Sequence, residues 1–250
     1  MLFERGFGRG YVERDYGSVP QFSVYEESPI KRLPRGEWKS RIEHLNEAGA
    51  QPYHWHKLYV KIRSQSRFPY CWSWGTCCAI EVAYSMQGVG SPHLNAHALA
   101  YRGKNGALRG GFATEACKYI QEYGVPQESV LGGFVKQRSW SKEVQANADK
   151  HKLVDFNEIA KNDLDMLVSC LIGESPQPAT IALSWWRHLV CALGVTIDKR
   201  GNVGIIFANS WGTKYKEGGL DGGYGILWGK KAIPYESVAV RHVKSRTEVS

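Results

Sequence analysis

Two hundred and fifty residues, 43% of them hydrophobic, can bury a full core, as one large domain or as two lobes sharing an interface. The formal charge of +8 comes without any long run of Lys or Arg, which argues against a nucleic-acid partner and leaves acidic peptides as what a basic cleft would attract. No 18-residue apolar run exists and no apolar leader core follows Met1, so neither a membrane partner nor the usual secretory route is expected.

Residues 1–51 read as an N-terminal extension, rich in Gly, Arg and aromatics, with one short helix near 38–47. An ordered wrap and a disordered tail are equally compatible with that composition; an ordered arm implies protein partners or a surface that holds it. Residues 52–65 look strand-like through Leu58, Val60 and Ile62, and lead into a loop at 64–70. The His54-Trp55-His56 alternation could suit a metal, but packing against a second lobe explains it better, and no metal or other cofactor is expected. A helix over 71–86, with apolar residues on most sides, is stopped by Gly88-Val89-Gly90-Ser91-Pro92. Shorter helices follow at 94–101 and 114–123, the latter ended by Gly124.

The second half changes character. After a helix around 162–172, β-rich runs occupy 179–184, 188–197, 203–209 and 223–228, with hairpin chemistry at 198–202. The expected fold is therefore α+β, with a domain over 52–250 divided into a helical lobe (about 52–155) and a β-rich, barrel-like lobe (about 156–250). Six cysteines show no metal-type spacing, and most lie in apolar patterns where small buried thiols are common, so a reducing setting is expected, the cytoplasm or another reducing compartment.

Four positions carry chemistry. A cysteine thiol is mostly protonated at neutral pH, and a helix N-terminus or a nearby imidazolium lowers its pKa. Cys71 opens its predicted helix, and His188 stands in an apolar strand in the other lobe. Across a cleft, His188 could take the thiol proton and later return it to a leaving amine. Asn209 could hold the imidazole tautomer, and Gln65, six residues before Cys71, could donate to an oxyanion. Taken alone, Cys71 would be a buried structural thiol, His188 a core histidine and Asn209 a turn residue; their order and context favour the catalytic reading.

Gln65 to Cys71-Trp72, Arg109-Gly110-Gly111-Phe112, His188 at a strand start, Asn209-Ser210-Trp211-Gly212 and Gly222-Gly223-Tyr224-Gly225 together resemble the papain-like cysteine peptidases, over about 52–228. The resemblance implies a two-lobe fold and a thiol protease, a hydrolase that acts through a thioester acyl-enzyme. It assigns Cys71, His188, Asn209 and Gln65 as catalytic, and Gly110, Gly111 and Trp211 as residues of the substrate site, Trp211 shielding the Asn–His hydrogen bond.

Departures from the pattern carry their own expectations. Pro69-Tyr70 replaces the usual Gly-Ser and implies a narrower cleft beside Cys71. Phe68 and Leu108 stand where many relatives have a disulfide, and Arg187 places a cation before the histidine. No long helical pro-region is recognisable, so zymogen activation is not expected. A second reading of another class is an inactive papain-fold structural protein of a large assembly such as a virion; a third is an amide hydrolase or acyl transferase that uses the same triad.

Overall fold

The computed structural model describes residues 8–19, 30–134, 136 and 139–243. The chain runs through α1 (Trp38–Glu47), α2 (Pro52–Tyr59), the long α3 (Cys71–Met86), α4 (Ala96–Gly103), α5 (Ala113–Tyr123), the single turn α6 (Glu128–Leu131) and α7 (Lys142–Asp149). It continues through β1 (Leu153–Ile159), α8 (Leu164–Ile172), β2 (Ala179–Leu183), β3 (His188–Ile197), β4 (Val203–Ala208), β5 (Tyr224–Trp228) and β6 (Glu236–Val243). The strands form one sheet in the order β1-β6-β2-β3-β4-β5, with every neighbouring pair antiparallel. The architecture is α+β, as the sequence pattern predicts.

One prediction fails outright: residues 52–59 form a helix and not a strand. Pro52 sits in its first turn, where a missing N–H costs nothing. Pro52 and His56, four residues apart, share its buried face, whereas Leu58 is left largely exposed. Helical spacing buries this segment better than alternation would. Gln51 then ties the helix to the sheet, accepting from the Val195 N–H (2.8 Å).

Strand β3 is apolar throughout because both of its faces are covered. Leu189, Cys191 and Leu193 face the core built on α3, while Val190, Ala192 and Val195 face a second core with α8 and α1. Through Trp38, Ile42 and Leu45, α1 belongs to that second core.

Gly75 makes the docking of α3 on β3 possible. A Cβ there would lie 2.4 Å from the Leu189 side chain and 3.3 Å from the Val190 carbonyl carbon. The helix therefore packs backbone-close to the strand, with Cys71 one turn before that contact.

Candidate active site

Helix α3 starts at Cys71 without a side-chain cap, and the Ser73 and Trp74 N–H groups both turn back to the Tyr70 carbonyl. The sulfur is wholly buried and faces backbone amides, including those of Trp72, Leu189 and Gly10. The Leu189 amide puts the thiol beside the start of β3, where His188 stands. Helix and strand, 117 positions apart in the chain numbering, are brought together by the Gly75 contact.

The His188 Nε2 and Asn209 Oδ1 are 2.8 Å apart, and the same Oδ1 accepts from the Ser210 N–H at 2.8 Å. Because Asn209 Oδ1 can only accept, Nε2 carries the hydrogen and neutral Nδ1 is left with a lone pair. Nδ1 is buried and has no hydrogen-bond partner among the described residues. The ring packs against both Trp211 and Trp186, with centroid separations of 4.5 and 4.9 Å. Trp211 itself is buried, and its ring contacts run to His188, Trp186 and Tyr215.

Gln65 is oriented from both sides. Ser210 Oγ donates to its Oε1, and its Nε2 donates to the Phe68 carbonyl (2.8 Å). The remaining Nε2 hydrogen goes to the carbonyl oxygen of Gly8, at 2.9 Å. The acceptor is therefore the chain's own N-terminal arm.

Residues 8–12 of that arm lie along the cleft. Gly8 N–H donates to the Ser66 carbonyl (2.9 Å), and Gly10 N–H donates to the Cys71 sulfur at 3.3 Å. Tyr11 pairs with Gly111 in a parallel bridge: Gly111 N–H donates to the Gly10 carbonyl (2.8 Å), and Val12 N–H donates to the Gly111 carbonyl (3.0 Å). Gly110 comes so close that a Cβ on it would lie 2.3 Å from the Gly10 oxygen. The double glycine is thus in use, with the arm as its partner. The arm therefore occupies the cleft, with its Gly8 carbonyl on Gln65 and its Gly10 N–H on the Cys71 sulfur.

Burial dominates the electrostatics, and the arm adds to them. Burial pushes the Cys71 thiol up to about 11, with the surrounding amides opposing that shift only in part. Burial pulls His188 down to about 4, the Asn209 hydrogen bond opposes it, and the Arg9 charge lowers it further. The cation acting against the imidazolium is Arg9 of the arm. Arg187, the suspect from sequence, sits in left-handed backbone (φ 51°) and is exposed. At pH 7 both members of the pair are neutral. Iodoacetamide labelling of Cys71 in the intact chain is therefore expected to be slow at pH 7 and to rise about tenfold per pH unit toward pH 10. Mass spectrometry of the peptide carrying Cys71 reads this directly; a rate flat between pH 6 and 8 would mean that the thiol is already ionised.

Several residues in this arrangement escape sequence reasoning. Arg14 is buried and donates to Thr114 Oγ1 (2.9 Å), with Glu158 at 3.1 Å and Glu236 at 3.9 Å. Glu236 also accepts from the Ala113 and Thr114 N–H groups at the start of α5, just beyond Gly111. Burial raises its carboxyl to about 7. The clamp ties the arm to α5, β1 and β6. The signal available in sequence was the glycine spacing of Gly6-Phe7-Gly8-Arg9-Gly10, which says only that side chains are absent.

Two closely packed lobes, with a cysteine at a helix start facing a histidine–asparagine pair at a strand start, define the papain-like cysteine peptidase fold. Solved structures agree. Procathepsin L 3 of the Tenebrio molitor larval midgut superposes with a TM-score of 0.62 at 17% identity, over 96% of this chain and 77% of that one. Ananas comosus bromelain in complex with the E64 inhibitor gives 0.60 at 16% identity, over 77% of this chain and 97% of that one. A recombinant stem bromelain precursor gives 0.61 at 16%, over 97% and 85% respectively. No protein-family model matches the sequence, and neither does any curated protein. The likeness is one of fold.

Proposed function

We propose that this protein is a cysteine peptidase that hydrolyses peptide bonds through Cys71, His188, Asn209 and Gln65, and that its arm holds it shut. The observation that carries the reading is the His188–Asn209 hydrogen bond of 2.8 Å, with Nδ1 left unpartnered on a strand start that the Cys71 sulfur adjoins. With the arm out, Nδ1 takes the Cys71 proton, and the thiolate attacks a substrate carbonyl carbon. Gln65 Nε2 and the Cys71 N–H stabilise the tetrahedral oxyanion; the Gly8 carbonyl holds the place of that oxygen at Gln65 in the closed form. The intermediate collapses as His188 protonates the leaving amine, giving a thioester. His188 then deprotonates a water that attacks the thioester, and Cys71 leaves as the free thiol. Trp211 and Trp186 keep bulk water from the His188–Asn209 bond.

The fold neighbours are peptidases, which favours this reading over a structural role in a virion. The exposed Arg67, Arg109 and Arg187 support a preference for acidic peptides. The replacement of the relatives' disulfide positions by Phe68 and Leu108 supports work in a reducing compartment. In a chain whose arm has been released, Cys71→Ala is expected to lower peptide hydrolysis by at least about 10³-fold, and His188→Ala comparably, since nucleophile and base act as one unit. Retained hydrolysis in Cys71→Ala, with the protein folded by circular dichroism, would sink the proposal.

A further inference from the structure

Gly8 and Gly10 face the backbone wall formed by Arg67, Phe68 and Pro69. A Cβ on Gly8 would lie 2.0 Å from the Phe68 oxygen and 2.4 Å from its carbonyl carbon. A Cβ on Gly10 would lie 1.9 Å from the Pro69 oxygen and 2.8 Å from its Cα. Neither glycine is among those with positive φ. Their backbones would accept any residue, so it is space, and not conformation, that demands glycine at both positions. Arg9 between them is exposed, so the middle side chain points away from the wall.

The wall is poorly placed to yield. Its oxygens belong to main chain, and the proline ring fixes one torsion. The Phe68 ring is held by His97 (4.7 Å), Phe134 (5.1 Å) and Tyr70 (6.0 Å), and Tyr70 is wholly buried. The Phe68 carbonyl is held by Gln65, and the Phe68 N–H returns to the Gln65 carbonyl at 3.3 Å. Across the cleft the floor is stripped to glycine as well. A Cβ on Gly110 would meet the occupant's carbonyl, and one on Gly111 would lie 2.7 Å from Trp72.

We infer that the cleft selects substrates with glycine at two alternate positions, Gly-X-Gly, lying across the Phe68-Pro69 wall beside Cys71. This rests on the peptidase reading and names its substrate class. Along an extended strand, residues i and i+2 share a face whichever way the strand runs. A substrate of either polarity therefore meets the wall with alternate residues, as the arm does. The middle side chain is exposed and does not meet the wall.

Two measurements test this. In the intact chain, Gly8→Ala and Gly10→Ala should each raise Cys71 alkylation at pH 7 by roughly tenfold or more, because a methyl group forced against main chain expels the arm. Arg9→Ala, which puts no atom against the wall and removes only a charge, should raise it less than either glycine variant does. In a Gly10→Val, Arg14→Ala, Cys71→Ala chain, where the arm has lost both contacts and nothing is turned over, fluorescence anisotropy follows labelled Gly-Arg-Gly-Tyr. Replacing both glycines by alanine should weaken binding at least about tenfold, and Gly-Ala-Gly-Tyr should bind as the parent does. Unchanged alkylation in Gly10→Ala, equal affinity of glycine and alanine peptides, or no binding of the glycine peptide overturns the inference. Selective binding, with no hydrolysis of a mixed peptide library by a released chain that keeps Cys71, would leave the inference standing and remove the peptidase reading.

Discussion

Gly10→Val is expected to raise the reactivity of Cys71 at pH 7 by roughly 100-fold, as the thiol returns from about 11 toward its ordinary value of 9.0. Valine cannot be accommodated where a Cβ would lie 1.9 Å from the Pro69 oxygen. The segment must leave, and with it go the bonds to Ser66, Gln65, Gly111 and the sulfur. Water then reaches the dyad, the burial that raised the thiol and depressed His188 is relieved, and the Arg9 charge moves off. His188 can then hold a proton at neutral pH, and an ion pair with Cys71 becomes accessible, lowering the thiol further. Peptide hydrolysis should rise in parallel. The check is the iodoacetamide rate against pH for the intact and variant chains. If trypsin gains access to Arg9 while Cys71 reactivity stays unchanged, the arm does not suppress the thiol.

The largest stability loss is expected at Arg63. Its guanidinium donates to Glu81 (2.7 Å), to Glu128 (3.1 Å) and to the Leu94 carbonyl (2.7 Å), and it lies over the Trp74 ring. Glu81 is wholly buried in α3 and also accepts from the Leu94 N–H at 2.7 Å. Arg63→Met keeps the stem but removes the charge and the hydrogen bonds to Glu81, Glu128 and the Leu94 carbonyl, which leaves buried acceptors unpaired and costs about 3–5 kcal/mol. For a chain of this size that is a fall in Tm of roughly 10 °C. Burial already raises Glu81 from 4.5 to about 8, with Arg63 opposing it. Between those values the folded chain holds a proton that the unfolded chain has lost, so stability drawn from Glu81 falls as pH rises. In Arg63→Met the carboxyl is raised further, so both folded chains keep the proton up to about pH 8 and the deficit should be level to that point and widen above it. Thermal unfolding at about pH 6 and about pH 10 measures it, and adding Glu81→Gln should remove the widening. An equal deficit at both pH values would mean that lost packing and hydrogen bonds, and not the Glu81 charge, are responsible.

Much of this molecule is legible before folding. Helix α3 is announced by an uninterrupted apolar stretch closed by Gly88 and Gly90, and β3 by an apolar run too continuous for a one-sided strand. Cys71, His188, Asn209 and Gln65 are each marked by immediate neighbours, and the structure gathers them about one cleft. Where local patterns mislead, competing periods are the cause: Leu58, Val60 and Ile62 alternate, yet Pro52 and His56 bury a helical face. Charged residues interrupt the apolar pattern of strands β1 and β6, where Glu158 and Glu236 hold Arg14 of the arm and Asp155 pairs with Arg241.

The chain's local chemistry, then, determined which groups are available: a thiol at a helix start, an imidazole at a strand start, two amides, and a glycine-spaced arm. Only tertiary structure decided what those groups do to one another. Whether Gly8 and Gly10 touch anything depends on a backbone wall about sixty residues away, and the Arg14 clamp joins residues 144 to 222 positions apart in the numbering. Burial and long-range charge, which set the Cys71 and His188 pKa values, belong to the assembled interior. They depend on what surrounds a group in space, and sequence order does not record that.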